Sequence, residues 1–268
     1  MIRYAPAKIN LGLYIYDKRP DGFHTIESIL YPVPLYDVLE FTKAEDFSLK
    51  TEGYHIPGTL RENTIWKTYQ LMKLRFGLPG LAVRLVKNIP PGSGLGGPSS
   101  DAATFIKGLD TYFHLGLSFQ MLLELAEQIG SDCPFFIHSA PAYVTGKGEL
   151  FQEISLFLKG YYLCIVFLQQ PVSTAWAYAQ VRPGESGFSF KKWQDSPIEQ
   201  WQDSLINQFE PLVFEKFPQL AVVKKELMKS GAVYASMSGS GSAVFGIFKQ
   251  KPLLHKELQP KQRWCFVL

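Results

Sequence analysis

Charge is scarce in this 268-residue chain. Asp, Glu, Lys and Arg make up 19% of it, the formal net charge is only +3, and no run of like charge exceeds two residues. That excludes a basic tail of the kind that tracks nucleic acid or an anionic membrane. Cysteine is equally sparse. Cys133, Cys164 and Cys265 are widely spaced, odd in number and without a C-x-x-C pair, which argues against a disulfide framework or a zinc site and suits a reducing cytosol. No long hydrophobic run occurs. The longest, Tyr161 to Leu168, is too short to span a bilayer and reads as a buried strand. The first residues, Met1 to Lys8, carry no apolar signal region. A cytoplasmic protein is expected.

What is present is apolar and patterned. Hydrophobic residues form 46% of the chain, enough to bury one large core or two modest ones. Ile2 to Tyr16 reads as one or two strands. Arg19-Pro20-Asp21-Gly22 reads as a turn, and strand character resumes from Phe23 to Phe41. Asn63 is placed as an N-cap for a helix carrying Ile65, Tyr69, Met72 and Phe76. Leu81 to Ile89 alternates as a half-buried strand, and Ser99 to Leu109 reads as a helix. Ser118 caps a helix with Phe119, Leu122, Leu123, Ala126 and Ile129 on one face, ending at Gly130. Pro134 to Phe151 reads as strands around Gly146-Lys147-Gly148. Residues 197–230 read as mostly helical, and Ala232 to Phe248 as strand, glycine turn, strand. The pattern predicts an α+β protein with a boundary near residues 150–160, dividing 1–153 from 154–268.

Three segments carry chemistry. The first is Pro90-Pro91-Gly92-Ser93-Gly94-Leu95-Gly96-Gly97-Pro98-Ser99-Ser100. Glycines let backbone N–H groups approach a phosphate, and a helix start aims its free N–H groups the same way. Ser99 and Ser100 add hydroxyls for phosphate oxygens or a Mg²⁺ ion. Gly92, Gly94 and Gly97 also match G-x-G-x-x-G, but Pro90-Pro91 precede the first glycine and no second parallel strand follows, so the dinucleotide context is missing. The H-R-D and D-F-G segments of protein kinases and the G-K-[ST] of Walker A are also absent. The second segment, Gly130 to Phe136, sets Asp132 between a helix end and what reads as an apolar strand, where it suits a general base. The third, Met237 to Ser242, is a glycine turn that reads as the other lip of a nucleotide cleft, although a plain hairpin turn has the same composition. Lys8, flanked by apolar residues and next but one to Asn10, offers the cation that phosphoryl transfer to an alcohol needs beside a carboxylate.

Together, Pro90 to Ala103, Gly130 to Phe136 and Ser236 to Phe245 resemble the three motifs of the GHMP small-molecule kinase superfamily, in order and spacing over almost the whole chain. Ala5 to Leu13, followed by Arg19 to Ser28, resembles the branch that uses ATP to phosphorylate the 2-hydroxyl of 4-(cytidine 5'-diphospho)-2-C-methyl-D-erythritol, in the non-mevalonate route to isopentenyl diphosphate. The galactokinase sugar signature is missing, and homoserine and mevalonate kinases lack the Asp-Gly-Phe-His segment. The resemblance implies a two-lobed fold, with the glycine loop in a mixed N-terminal lobe and a ferredoxin-like C-terminal lobe. It implies ATP and Mg²⁺, with Ser100 as the protein contact of the metal, and a monomer or weak homodimer without nucleic-acid or membrane partners. Lys8 and Asp132 match the catalytic pair. Asn10, Asp132 and Gly239 fall on the substrate side. His24 matches the residue that hydrogen-bonds cytosine, with Phe23 and Tyr178 as the stacking aromatics. Three departures stand out: Pro98 replaces a third consecutive glycine, Phe23 replaces a commoner Tyr, and the chain is short for the family in its C-terminal half. Two other readings remain: another GHMP kinase, of mevalonate or homoserine type, and a nucleotide-binding module without turnover.

Overall fold

A computed structural model describes residues 1–184, 188–254, 258 and 262–268. In chain order it forms β1 (Ile2–Lys18), β2 (His24–Ala44), β3 (Ser48–Gly53), α1 (Thr64–Phe76), β4 (Gly80–Lys87), α2 (Gly97–Phe113), α3 (Phe119–Glu127), α4 (Cys133–His138), β5 (Ala142–Thr145) and β6 (Leu150–Glu153). There follow β7 (Tyr162–Phe167), α5 (Thr174–Gln180), α6 (Phe190–Gln194), α7 (Trp201–Ser204), α8 (Glu210–Lys216), α9 (Pro218–Lys229), β8 (Tyr234–Met237), β9 (Val244–Phe248) and β10 (Gln262–Val267). The α+β expectation holds. Among the described residues, no helix is long and apolar enough to cross a membrane.

The chain divides into two compact units. One comprises Met1–Ala7, Leu35–Pro91 and Gly96–Ala140; the other comprises Lys8–Pro34, Gly92–Leu95 and Pro141–Leu268. In the first, β3 and β4 pair in parallel across α1, and β4 pairs antiparallel with the second half of β2, from Val38↔Val86 to Ala44↔Gly80. The Asn63 cap is confirmed: its side chain accepts from Ile65 N at 2.9 Å, and the helix stops at Gly77 in the left-handed region. The parallel partner β3 has no sequence signal of its own, Leu49 being its one apolar side chain. Helix α2 packs on α1, α3 and α4, and its Phe105 meets Phe41 of β2 edge-on at 5.2 Å. Ser118 caps α3 as expected, but its buried residues are Leu125 and Ala126, while Phe119 stays 51% exposed.

In the second unit, β10, β7, β9 and β8 form an antiparallel sheet in that order, covered by α9. The core beneath it includes Leu13, Val166, Phe209, Leu220, Leu227 and Phe248. The first half of β2 pairs with β5, which pairs with β6.

Two expectations are overturned. Residues 133–138 are not a strand but helix α4. Pro134 fits its first turn, where the missing N–H has no intrahelical use, and its Phe-Phe-Ile run is buried on all sides, so no periodicity betrays the helix. The cysteines are not all free either. Cys164 and Cys265 are paired in a disulfide, because β7 and β10 place them directly opposite one another; a separation of 101 residues hides that register.

Phe209 is fully buried and supports Tyr178 edge-on at 4.9 Å. Phe209→Ala should lower stability by about 3–5 kcal/mol, read as a shift in the denaturant midpoint.

Candidate functional site

Lys8 and Asn10 lie in the buried stretch of β1, and both are only 4% exposed. Burial on this scale needs partners. Lys8 Nζ donates to Asn10 Oδ1 at 2.5 Å. Asn10 Nδ2 donates to Ser28 Oγ at 2.8 Å, and that hydroxyl donates on to the Gly12 carbonyl at 2.6 Å. The Lys8 backbone N–H donates to the Leu95 carbonyl at 2.9 Å. The Lys8 ammonium is thus oriented by a relay that ends on backbone.

The glycine segments meet. Ser238 Oγ donates to the Gly94 carbonyl at 2.9 Å, and Asn10 N donates to Ser238 Oγ at 3.3 Å. Ala243 N donates to the Ser93 carbonyl at 2.9 Å. Gly94 has φ +77, and a Cβ there would lie 1.9 Å from the Ser238 carbonyl oxygen. No side chain fits. Gly239 faces the same place, with Asn10 Oδ1 3.4 Å from where its Cβ would be. Asn207 Nδ2 holds the second segment by donating to the carbonyls of Met237 and Gly239 at 2.7 and 2.8 Å.

At the other end of the first glycine segment, α2 begins at Gly97, two residues before the expected Ser99, with Gly96 as cap at φ 76. Pro98 therefore stands in the first helical turn, where its absent N–H breaks no helix bond. It still leaves one donor fewer toward a ligand. Ser100 N donates to the Gly96 carbonyl at 2.9 Å. Ser100 Oγ is buried and has no hydrogen-bond partner among the described residues. Among the described residues no group of three or more His, Cys, Asp or Glu could hold a metal.

Asp132 belongs to the first unit and stands at the N-cap of α4, although its side chain does not cap that helix. The next residue, Cys133, is buried, and its thiol is pushed up to about 12 by burial, against a hydrogen bond from Ser99. In the second unit, Tyr178 stacks on the His24 imidazole with centroids 5.4 Å apart and planes at 25°. Phe23 is 52% exposed, with Lys147 Nζ 5.3 Å from its ring centroid. Burial holds the His24 pKa below its ordinary value, and Lys18 adds to the effect.

A buried charge cluster lies beside the first glycine segment, on residues that hold none of the roles named above. Lys87 Nζ donates to Asp37 Oδ2 and, at 2.6 Å, to Asp101 Oδ2; all three side chains are at most 2% exposed. Burial pushes the Asp101 carboxyl up to about 7, with Asp37 adding to the shift and Lys87 opposing it. A signal existed in the alternation. Leu81, Val83, Leu85 and Lys87 share the inner face of β4, and Leu35, Asp37, Leu39 and Phe41 that of β2. A charge on an inner face asks for a partner.

Comparison with known proteins gives the family. The family model described as GHMP kinases N terminal domain matches residues 63–140, and that described as GHMP kinases C terminal matches residues 197–257. The chain is 43% identical over 270 residues to 4-diphosphocytidyl-2-C-methyl-D-erythritol kinase of Bacteroides thetaiotaomicron, covering 99% of this chain and 98% of that protein. It belongs to the 4-diphosphocytidyl-2-C-methyl-D-erythritol kinase family. The Bacteroides fragilis member of that family is 42% identical with the same coverage. The crystal structure of a 4-(cytidine 5'-diphospho)-2C-methyl-D-erythritol kinase matches with a TM-score of 0.81 at 29% identity, covering 99% of this chain and 98% of that one. The chain spans these kinases nearly end to end.

Gly94→Ala should destabilise the protein well beyond Gly116→Ala. Gly116 shares the left-handed φ but has open space around it, so it isolates the backbone strain of about 1–3 kcal/mol from the steric overlap; denaturant midpoints of both variants measure the difference. With its folded pKa depressed, His24 stays neutral in the folded protein, while the unfolded chain takes up a proton near pH 6.5. Its contribution to stability is present above that pH and lost as pH falls through the folded value. An NMR titration should put the His24 midpoint below 6.5, and His24→Gln should remove that part of the stability slope.

Proposed function

We propose that this chain transfers the γ-phosphoryl group of ATP to the 2-hydroxyl of 4-(cytidine 5'-diphospho)-2-C-methyl-D-erythritol, a step of the non-mevalonate route to isopentenyl diphosphate. The observation that carries this reading is the near end-to-end match, above 40% identity, to kinases named for that substrate. The geometry of the residues supports their roles.

The backbone from Gly92 to Gly97, with the first turn of α2, would cradle the triphosphate, continuing the Pro90-Pro91 entry and closing on Ser99 and Ser100. Asp132 would take the proton of the attacking hydroxyl. Lys8, its ammonium fixed by Asn10, would supply the cation that stabilises charge on the transferring oxygens. Ser100, whose buried hydroxyl has no partner among the described residues, fits a Mg²⁺ contact. When bound, Mg²⁺ would supply positive charge that offsets the phosphate charge. His24, neutral and stacked on Tyr178, would read the polar edge of cytosine, while Phe23 and Tyr178 offer ring faces to its π-surface. Asn10 and Gly239 would line the alcohol's end. Little covalent chemistry falls to the protein, so positioning and electrostatics supply most of the acceleration. The division at residue 153 falls between the two family-model stretches, and we propose it as the boundary of the functional lobes. The cytoplasm is the proposed compartment.

Asp132→Asn should reduce turnover by about 10²–10⁴-fold in a steady-state assay of ADP release; near-normal turnover would remove the general-base role. The unsubstituted chain should turn over the cytidine-linked alcohol. Activity on mevalonate or homoserine without activity on that alcohol would overturn the substrate assignment.

A further inference from the structure

We propose that Asp37, Lys87 and Asp101 are positioning residues that set the affinity for ATP without touching it, by fixing both ends of the glycine loop to one buried ammonium. This rests on the functional reading above. The loop leaves β4 directly after Lys87 and enters α2 at Gly97. Lys87 Nζ donates to Asp101 Oδ2, one turn into α2, at 2.6 Å, and to Asp37 Oδ2. The other oxygen of Asp37 accepts from the backbone N–H groups of Asn88 and Ile89 at 2.6 and 2.8 Å, the first two residues after the strand. One carboxylate therefore holds the way into the loop, the other holds the way out, and a single ammonium joins them. That ammonium lies against the start of α2: a Cβ on Gly97 would sit 3.1 Å from it.

Packing alone does not call for this arrangement. Apolar side chains of similar volume fill a strand–helix junction at least as well as buried charges do. Directional bonds do what apolar contacts cannot, which is to anchor the backbone at residues 88 and 89 and hold the start of α2 in one position. A phosphate-binding loop works through the orientation of the N–H groups between such anchors. The bonds of the cluster run to residues that flank the glycine loop, so its influence should fall on ATP.

The test compares Asp101→Ala, Asp101→Asn and Lys87→Met with the unsubstituted chain. KM for ATP, KM for the cytidine-linked alcohol and kcat are measured, with ATP affinity by calorimetry and the thermal midpoint. Val83→Ala, a buried β4 position outside the cluster, controls for stability loss. Asp101→Ala should raise KM and Kd for ATP roughly ten-fold and leave KM for the alcohol within about two-fold. Asp101→Asn, which keeps the shape, should recover much of the loss. Val83→Ala should lower the midpoint without moving ATP affinity. The Asp101 pair decides the matter even where Lys87→Met fails to fold. A stability loss alone, or a fall in kcat at unchanged ATP affinity, overturns the inference. An unsubstituted chain that binds no ATP overturns the functional reading, and the inference with it.

Discussion

One buried ammonium organises the first unit. Lys87 sits on the inner face of β4, where an apolar residue would complete the alternation begun by Leu81, Val83 and Leu85. Removing a charge from water is expensive, and the expense is offset only when the partners are charged and well aligned. Here they come from β2 and α2, so the strand pair and the helix are locked in register by the same three side chains. The loop between β4 and α2 inherits its end-points from that lock. Asp37 extends the lock into the backbone through the N–H groups of Asn88 and Ile89.

A second constraint acts in the other unit and is steric. The Gly94 backbone lies so close to the Ser238 carbonyl that only a residue without Cβ can stand there. The close approach lets Ser238, Asn10 and Lys8 share one hydrogen-bonded relay, so a cation in an apolar strand has a fixed direction. A glycine's absence of side chain is thus a structural requirement at this position as well as a convenience for a phosphate. The stack of His24 on Tyr178 is supported in the same layered way, with Phe209 edge-on beneath the tyrosine.

The helix caps at Asn63 and Ser118, the turn before Phe23 and the α+β character were legible because each depends on local chemistry: a capping oxygen, a glycine at positive φ, an apolar period. Helix α4 was not legible, since its residues are buried on every side and period carries no information there. The polar strand β3 was missed because its parallel pairing with β4 uses backbone bonds that any sequence can make. The Asp37–Lys87–Asp101 cluster was half legible. Two inward-facing charges could be read from the alternation, but their pairing needed the register of two strands and a helix.

The sequence by itself determined the chemistry available: a glycine loop leading into a helix, a carboxylate at Asp132, a lysine beside an asparagine, and an aromatic–histidine segment, all in the order shared with one kinase family. These are properties of residue type and spacing, which the linear chain carries in full. Only the tertiary structure decided which groups share a hydrogen bond. The link from Lys8 to Gly94 through Asn10 and Ser238 spans segments more than 200 residues apart, and the Cys164–Cys265 pair exists only because two antiparallel strands align at that residue. Both depend on strand register and close packing, which arise when distant segments meet and leave no mark in local sequence.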